Sequence, residues 1–168
     1  MKPQRYNGQR KGAMSNMSNK YNVLKLENQI CFPLYVCEKE IVRAYKPHLD
    51  EIGLTYTQYI TMMVMWEHRE LRVKEVGKRL YLDSGTLTPV LKKLEEKGFV
   101  ERKRSDADER DVIVTLTKSG EALKNKAVHI HEKLGGCIAL KSQKAKALYE
   151  LLYEVIRQLT ENQKEEPI

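Results

Sequence analysis

Two short amphipathic runs stand almost back to back between residues 73 and 97, and two β-like runs follow them at once. Val73, Val76 and Leu80 mark one inward face over residues 73–82, and Leu87, Val90, Leu91 and Leu94 mark another over roughly residues 86–97. Asp83-Ser84-Gly85 leaves room only for a tight turn between them. Gly98 stands where a helix is closed by a left-handed residue, and Pro89 falls in the first turn of the second run, where proline is tolerated. Two short helices on a tight turn make a helix-turn-helix. Residues 99–104 and 112–116 read as strands around the polar stretch 105–111, a hairpin with a charged tip. A hairpin placed directly after a helix-turn-helix is a wing.

The flanks are helical. Ile30, Leu34, Cys37, Ile41 and Tyr45 recur in steps of four, three, four and four, one face of a helix. Pro33 fits only near a helix start, which places that start at about residues 29–32, and Pro47 and Gly53 bracket its end. Thr55 caps a second helix over 56–68, whose Met62-Met63-Val64-Met65-Trp66 run makes it mostly buried. Thr117 opens a long helix to about residue 134, which Gly135-Gly136 breaks. A last helix over 142–162 carries Leu148, Leu151, Leu152, Val155, Ile156 and Leu159, a stripe broad enough to need a partner surface. The expected fold class is mainly α with a small β-wing. A winged helix-turn-helix spans 54–116, residues 22–53 and 117–162 form a helical dimerisation region, and residues 1–21 are a disordered basic tail.

Charge must be located before it is interpreted. The 168 residues hold 30 basic and 23 acidic side chains, a net +7. Residues 1–20 contain Lys2, Arg5, Arg10, Lys11 and Lys20 and no acid, so the other 148 residues carry only +2. Bulk charge therefore does not name a partner. No run approaches 18 apolar residues, and the basic start lacks an apolar h-region, so neither a membrane span nor a secretory signal is expected. Cys31, Cys37 and Cys137 form no disulfide framework and no zinc spacing. The expectation is a cytoplasmic, non-enzymatic protein with no metal, no cofactor and no catalytic residues.

A recognition helix offers its N-terminal side chains to the major groove and its amide end and nearby lysines to phosphates. Those positions here are Ser84, Thr86, Thr88 and Pro89, followed by Lys92 and Lys93, while the wing adds Arg102, Lys103, Arg104 and Arg110. The blander reading is a structural helical hairpin with a solvated charge run.

Four segments carry a resemblance. Leu26-Glu27-Asn28-Gln29-Ile30-Cys31-Phe32, Leu54-Thr55-Tyr56-Thr57-Gln58-Tyr59, residues 80–89 and Asp108-Glu109-Arg110 resemble the peroxide-sensing branch of the MarR family, the OhrR-type organic hydroperoxide repressors. The likeness runs from about Leu26 to Gly120. It implies a homodimeric repressor on a palindromic double-stranded operator, dimerised by its first and last helices, with Arg110 entering the minor groove and Asp108 bracing it. It also implies that Cys31 is the oxidised sensor, that Tyr45 and Tyr56 hydrogen-bond to it when reduced, and that Tyr35 lies nearby. Pro33, Thr57 and Lys93 depart from the pattern. Lysine at 93 in place of arginine cannot make a bidentate contact.

The chemistry of Cys31 fits that role. Attack on a peroxide O–O bond needs a thiolate, and an ordinary thiol (pKa about 8.5) is mostly protonated near neutrality. A helix start offers a favourable dipole and free N–H groups, and phenol hydroxyls stabilise an anion without adding charge. The alternative is an inert cysteine on an apolar face. Cys37, six residues on, reads as core. Cys137 is a possible resolving thiol that condenses with a Cys31 sulfenate of the other subunit, and capping by a small thiol is the one-cysteine alternative. Two other functions fit less well: a repressor relieved by a small phenolic ligand, and a thiol peroxidase, for which no resolving C-x-x-C or catalytic constellation is present.

Overall fold

A computed structural model describes residues 21–105, 111–134 and 140–162. Its described helices and strands are α1 (Cys31–Asp50), α2 (Tyr56–His68), β1 (Glu70–Arg72), α3 (Val73–Leu80), α4 (Ser84–Glu96), β2 (Val100–Arg104), β3 (Val112–Leu116), α5 (Lys118–Leu134) and α6 (Ser142–Asn162). The chain divides into two compact units, one ending at Leu134 and the other beginning at Gly135. The fold class expected from sequence, mainly helical with a small wing, is the one observed.

Capping chemistry sets most of the boundaries. Thr55 and Gln58 form a reciprocal capping box that starts α2. Thr117 Oγ1 accepts the Gly120 N–H at 3.0 Å and starts α5. At the end of α4, the Gly98 N–H donates to Glu95 O and the Phe99 N–H to Leu94 O, with Gly98 at φ +72°, a Schellman closure that only glycine enters without strain.

Several expectations needed correction. Asp83 accepts the Thr86 N–H at 2.8 Å and takes the N-cap position, so α4 begins at Ser84, and Ser84 and Gly85 of the expected turn are helical. Pro89 is consequently the sixth residue of α4, in its second turn, where it withholds an N–H from the Gly85 carbonyl. The tight turn lies earlier, at Tyr81 (φ +54°), and its essential glycine is Gly77, whose Cβ would sit 2.7 Å from Leu82 O. Helix α1 ends at Asp50, between Pro47 and Gly53 as expected, and its last turn buries Leu49 in the core. Helix α2 is mostly buried, as expected, with Met63 as its exposed hydrophobic at 51%. A third strand, β1, escaped the sequence reading.

The three strands are ordered β1-β3-β2, both pairings antiparallel, with Leu71 opposite Val114 and Arg102 also opposite Val114. One core unites Met62, Met65 and Trp66 of α2, Val76 of α3, Leu87, Leu91 and Leu94 of α4, Val114 of β3, and Leu123, Ala127 and Ile130 of α5. The recognition helix therefore has its whole apolar stripe committed inward and its opposite face free. In the second unit, α6 leaves Tyr149, Leu151, Tyr153 and Leu159 exposed.

Among the described glycines, Gly120 is the most closely approached. A Cβ there would lie 2.1 Å from Phe99 O. Gly120→Ala is expected to lower the unfolding free energy by about 2–3 kcal/mol, the upper range for overpacking, measured by urea denaturation. An unchanged midpoint would mean that the α5 start can move away from the wing.

Candidate functional site

On α4 the side chains of Ser84, Thr86, Thr88, Pro89, Lys92 and Lys93 are all exposed. Two of the hydroxyls are already donors within the chain: Thr86 Oγ1 donates to Asp83 Oδ2 at 2.9 Å, and Thr88 Oγ1 donates to Ser84 O at 2.6 Å. Toward an outside partner they remain acceptors and pack through their methyl groups. Asp83 is held below the usual aspartate range, first by the Thr86 N–H and then by the Thr86 hydroxyl.

The wing cations differ in how firmly they are held. Arg102 is half-buried and bound to α4: its Nε and Nη2 donate to Glu95 Oε2 at 3.0 and 2.7 Å, and its N–H donates to Glu95 Oε1 at 2.9 Å. That contact holds the Glu95 carboxyl below its usual range. Arg102 thus braces the wing on the recognition helix instead of standing free for phosphate, while Lys103 and Arg104 are exposed. Asp108 and Arg110 lie outside the described residues. The base of the wing is closed by the Ser105 N–H donating to Asp111 O at 2.8 Å. Asp111, its side chain 12% exposed, meets Arg72 at 3.2 Å and Lys74 at 3.5 Å. A cleft of about 270 Å³ lies here, lined in part by Ser84, Thr88, Arg102 and Asp111. Glu95 and Asp111 position the site but were missed in the sequence, where carboxylates so close in number to arginines read as solvated charge.

Cys31 is the first residue of α1 and is exposed. Tyr35 is one turn on and exposed. Tyr45 packs edge-on against Tyr56 with ring centroids 5.2 Å apart and lies 5.9 Å from Tyr59, which meets Trp66 at 6.2 Å. Burial, and secondarily Glu38, pushes the Tyr56 phenol up, and burial with its tyrosine neighbours pushes Tyr59 up, so both keep their protons as donors. The cysteine and this aromatic cluster are not brought together within one chain. Fourteen helical residues separate Cys31 from Tyr45, a rise of about 21 Å. Cys37, expected in the core, is exposed. The α1 stripe is buried only toward its C-terminal end, and residues 31–40 are exposed throughout. Cys137 lies outside the described residues.

A family model described as transcriptional regulator SarA/Rot matches residues 43–127. The organic hydroperoxide resistance transcriptional regulator of Bacillus subtilis (strain 168) is 46% identical over 143 residues, 85% of this chain and 97% of that protein. The chain belongs to the OhrR-type branch of the MarR family. Within that branch it is also 46% identical to the HTH-type transcriptional regulator SarZ of Staphylococcus aureus (strain USA300) over 109 residues, 65% of this chain and 74% of SarZ. Among solved structures it resembles reduced AbfR bound to DNA, with a TM-score of 0.70 and 31% identity over 84% of this chain and 99% of that one. The OhrR-type chain described here is thus a winged-helix transcription regulator, as its motifs implied. Among the described residues no helix is long and apolar enough to cross a membrane.

Asp83 gives a pH-dependent test of the α4 N-terminus. A folded-state pKa below the ordinary 3.8 means the cap stabilises α4 above that pH and is lost as pH falls through the lower folded value. Asp83→Ala is expected to lower the melting temperature at pH 7, and the gap from wild type is expected to close in acid below about pH 4. A gap that persisted in acid would assign the loss to something other than the carboxylate.

Proposed function

We propose that the chain is a homodimeric, cytoplasmic repressor that binds palindromic double-stranded operator DNA through α4 and the wing, and leaves it when organic hydroperoxide oxidises Cys31. Residues 22–53 and 117–162 serve as the dimerisation region and residues 54–116 as the DNA-binding domain. The observation that carries this reading is an exposed cysteine at the first position of α1 in a chain whose recognition helix and wing face outward. The names of its relatives support it: one regulator is of organic hydroperoxide resistance, and AbfR has been solved reduced on DNA, overoxidised on DNA and in a disulfide-formed state.

On the DNA side, the α4 N-terminus directs its N–H groups and partial positive charge outward, and Lys92 and Lys93 follow on the free side of the helix. Ser84, Thr86, Thr88 and Pro89 offer acceptors and apolar contact to base edges. Arg104 reaches backbone phosphate, Arg110 enters the minor groove with Asp108 bracing it, and Arg102 keeps the wing at a fixed angle to α4. Two recognition helices read adjacent major grooves when they stand about 34–36 Å apart.

On the sensor side, the Cys31 thiolate attacks the distal oxygen of the hydroperoxide. The O–O bond breaks, the sulfenic acid forms, and the leaving alkoxide takes a proton to become the alcohol. Condensation with a thiol, from Cys137 of the second subunit or a small molecule, then yields a disulfide and releases water. Each sensor is consumed once, which makes this a regulator and not a peroxidase. Because Tyr45 lies about 21 Å along the same helix, the phenols that hold the reduced sulfur are those of the second subunit, with Tyr35 supplied by the subunit of the cysteine itself.

Fluorescence anisotropy on an operator selected in vitro tests the switch. Wild type is expected to lose the operator after one equivalent of cumene hydroperoxide, and Cys31→Ser to remain bound. Release of Cys31→Ser would overturn the redox mechanism. Mixed dimers test the tyrosines. The double variant Tyr45→Phe, Tyr56→Phe is expected to oxidise at least about tenfold more slowly, the loss expected on removing a hydrogen bond to a charged group. Pairing it with a Cys31→Ser chain restores one fast sensor per dimer if the phenols act across subunits, and none if they act within one.

A further inference from the structure

The cleft at the root of the wing holds two cations beyond those of α4 and the wing. Arg72 ends β1 opposite Ile113 of β3, which brings it beside Asp111 just ahead of that strand. Lys74 follows in the first turn of α3. Arg72 Nη1 lies 3.2 Å from Asp111 Oδ2, and Lys74 Nζ lies 3.5 Å from Asp111 Oδ1, so two cations share one carboxylate. The carboxylate is on the inside. Its side chain is 12% exposed, against 60% for Arg72 and 83% for Lys74. Glu75, the other acid at this corner, accepts the Arg72 backbone N–H at 3.1 Å.

Ser84 and Thr88 line the same cleft. They stand one turn apart on one flank of α4, with Lys92 a turn further on. A helix about 10–12 Å across fills a major groove about 12 Å wide, so groups beside its flank meet the phosphate wall and not the base edges. A carboxylate and a phosphodiester also present the same thing to a cation, two oxygens that share one negative charge. The spacing at which Arg72 and Lys74 hold Asp111 from within therefore suits a phosphate from without. We propose that these two side chains form a clamp for a backbone phosphate of the duplex, one per subunit, preset by Asp111 behind it. A guanidinium has five N–H donors and an ammonium three, so each cation keeps Asp111 and still donates outward. Asp111 has a second effect, because its charge opposes the phosphate it helps to place and limits affinity for duplex of any sequence. The clamp rests on the DNA side of the proposed function and needs nothing from Cys31.

The salt dependence of binding reads the clamp. Anisotropy of the reduced full chain is followed on the selected operator and on a scrambled duplex from about 50 to 200 mM salt. The double variant Arg72→Gln, Lys74→Gln is expected to flatten the slope of log K against log salt by about 1.8, which is about 0.9 for each of two phosphates. Both duplexes are expected to weaken by the same factor. Lys46→Gln removes a cation of α1 that pairs with Asp50, and is expected to leave the slope alone. The exchange Arg72→Lys, Lys74→Arg keeps both charges and is expected to keep the wild-type slope. An unchanged slope in the glutamine variant, or an equal fall in the charge-keeping one, would overturn the clamp. Asp111→Asn is expected to tighten binding to the scrambled duplex about threefold per subunit, the effect of one unit charge roughly 7 Å away in water. A carboxylate that only braced the wing predicts the opposite sign, so weaker binding would remove its role as a counter-charge. Wild type that fails to hold either duplex removes the DNA reading itself. A flattened slope together with peroxide release of Cys31→Ser keeps the clamp and removes only the switch.

Discussion

The hydrogen bond from Trp66 Nε1 to Gly120 O, 2.8 Å and fully buried, is the joint on which the first unit turns. Around it the Thr117 hydroxyl donates to Gly98 O, the Thr117 N–H to Phe99 O, and the Leu116 N–H to Arg69 O. These bonds place the start of α5, the end of α4, the root of the wing and the end of α2 within one turn of one another. Only a residue without a side chain fits at 120, because the Phe99 carbonyl occupies the place of a Cβ. The consequence is mechanical. The recognition helix and wing cannot shift against α2 and α5 without breaking these hydrogen bonds.

Acidic side chains decide which cations remain available. Glu95 takes Arg102, and Asp111 takes Arg72 and Lys74. Ion pairs that keep one partner in water stabilise little, and the effect of these is positional. The wing is fixed at its root by Asp111 and along its strand by Glu95; Lys103 pairs with Glu101 at 3.6 Å, and Lys92, Lys93 and Arg104 are exposed. A count of eleven basic and eight acidic residues over 72–110 conceals this sorting. Lys93 is a point charge without arginine's fork, suited to a phosphate more than to a guanine edge.

Most of the fold was legible because it is written in local chemistry. Thr55, Thr117 and Gly98 each end or start a helix through their own hydrogen bonds or their own φ, and the four-three steps of α4 predict the three leucines it buries. What was not legible depends on distant partners. Glu70–Arg72 is a strand only because β3 offers its free edge, with Leu71 opposite Val114. The α4 boundary moved because Asp83 was read as a turn residue when its carboxylate is the cap. Of the candidate site, the exposed α4 residues were readable from the stripe they oppose. Arg102 was not, since its commitment to Glu95 needs the wing folded against the helix. Cys37 failed for a related reason, because a stripe shows that a face will be covered but not whether the same chain covers it.

Helix α1 joins the two halves of the proposed switch. It is rigid, it holds the sulfur at an exposed end, and it holds Tyr45 at the end packed against Tyr56. In the proposed switch, a sensor divided this way is complete only where two subunits meet, so oxidation would act on the junction between them. That is the location where a small change has the largest effect on DNA. Each recognition helix stands about 17 Å from the two-fold axis when the pair spans one helical turn. A rotation of roughly 10° about that axis region therefore moves each helix by about 3 Å, the length of a hydrogen bond. In the proposed switch, a displacement of that size at α4 is enough to break its contacts with the operator half-site.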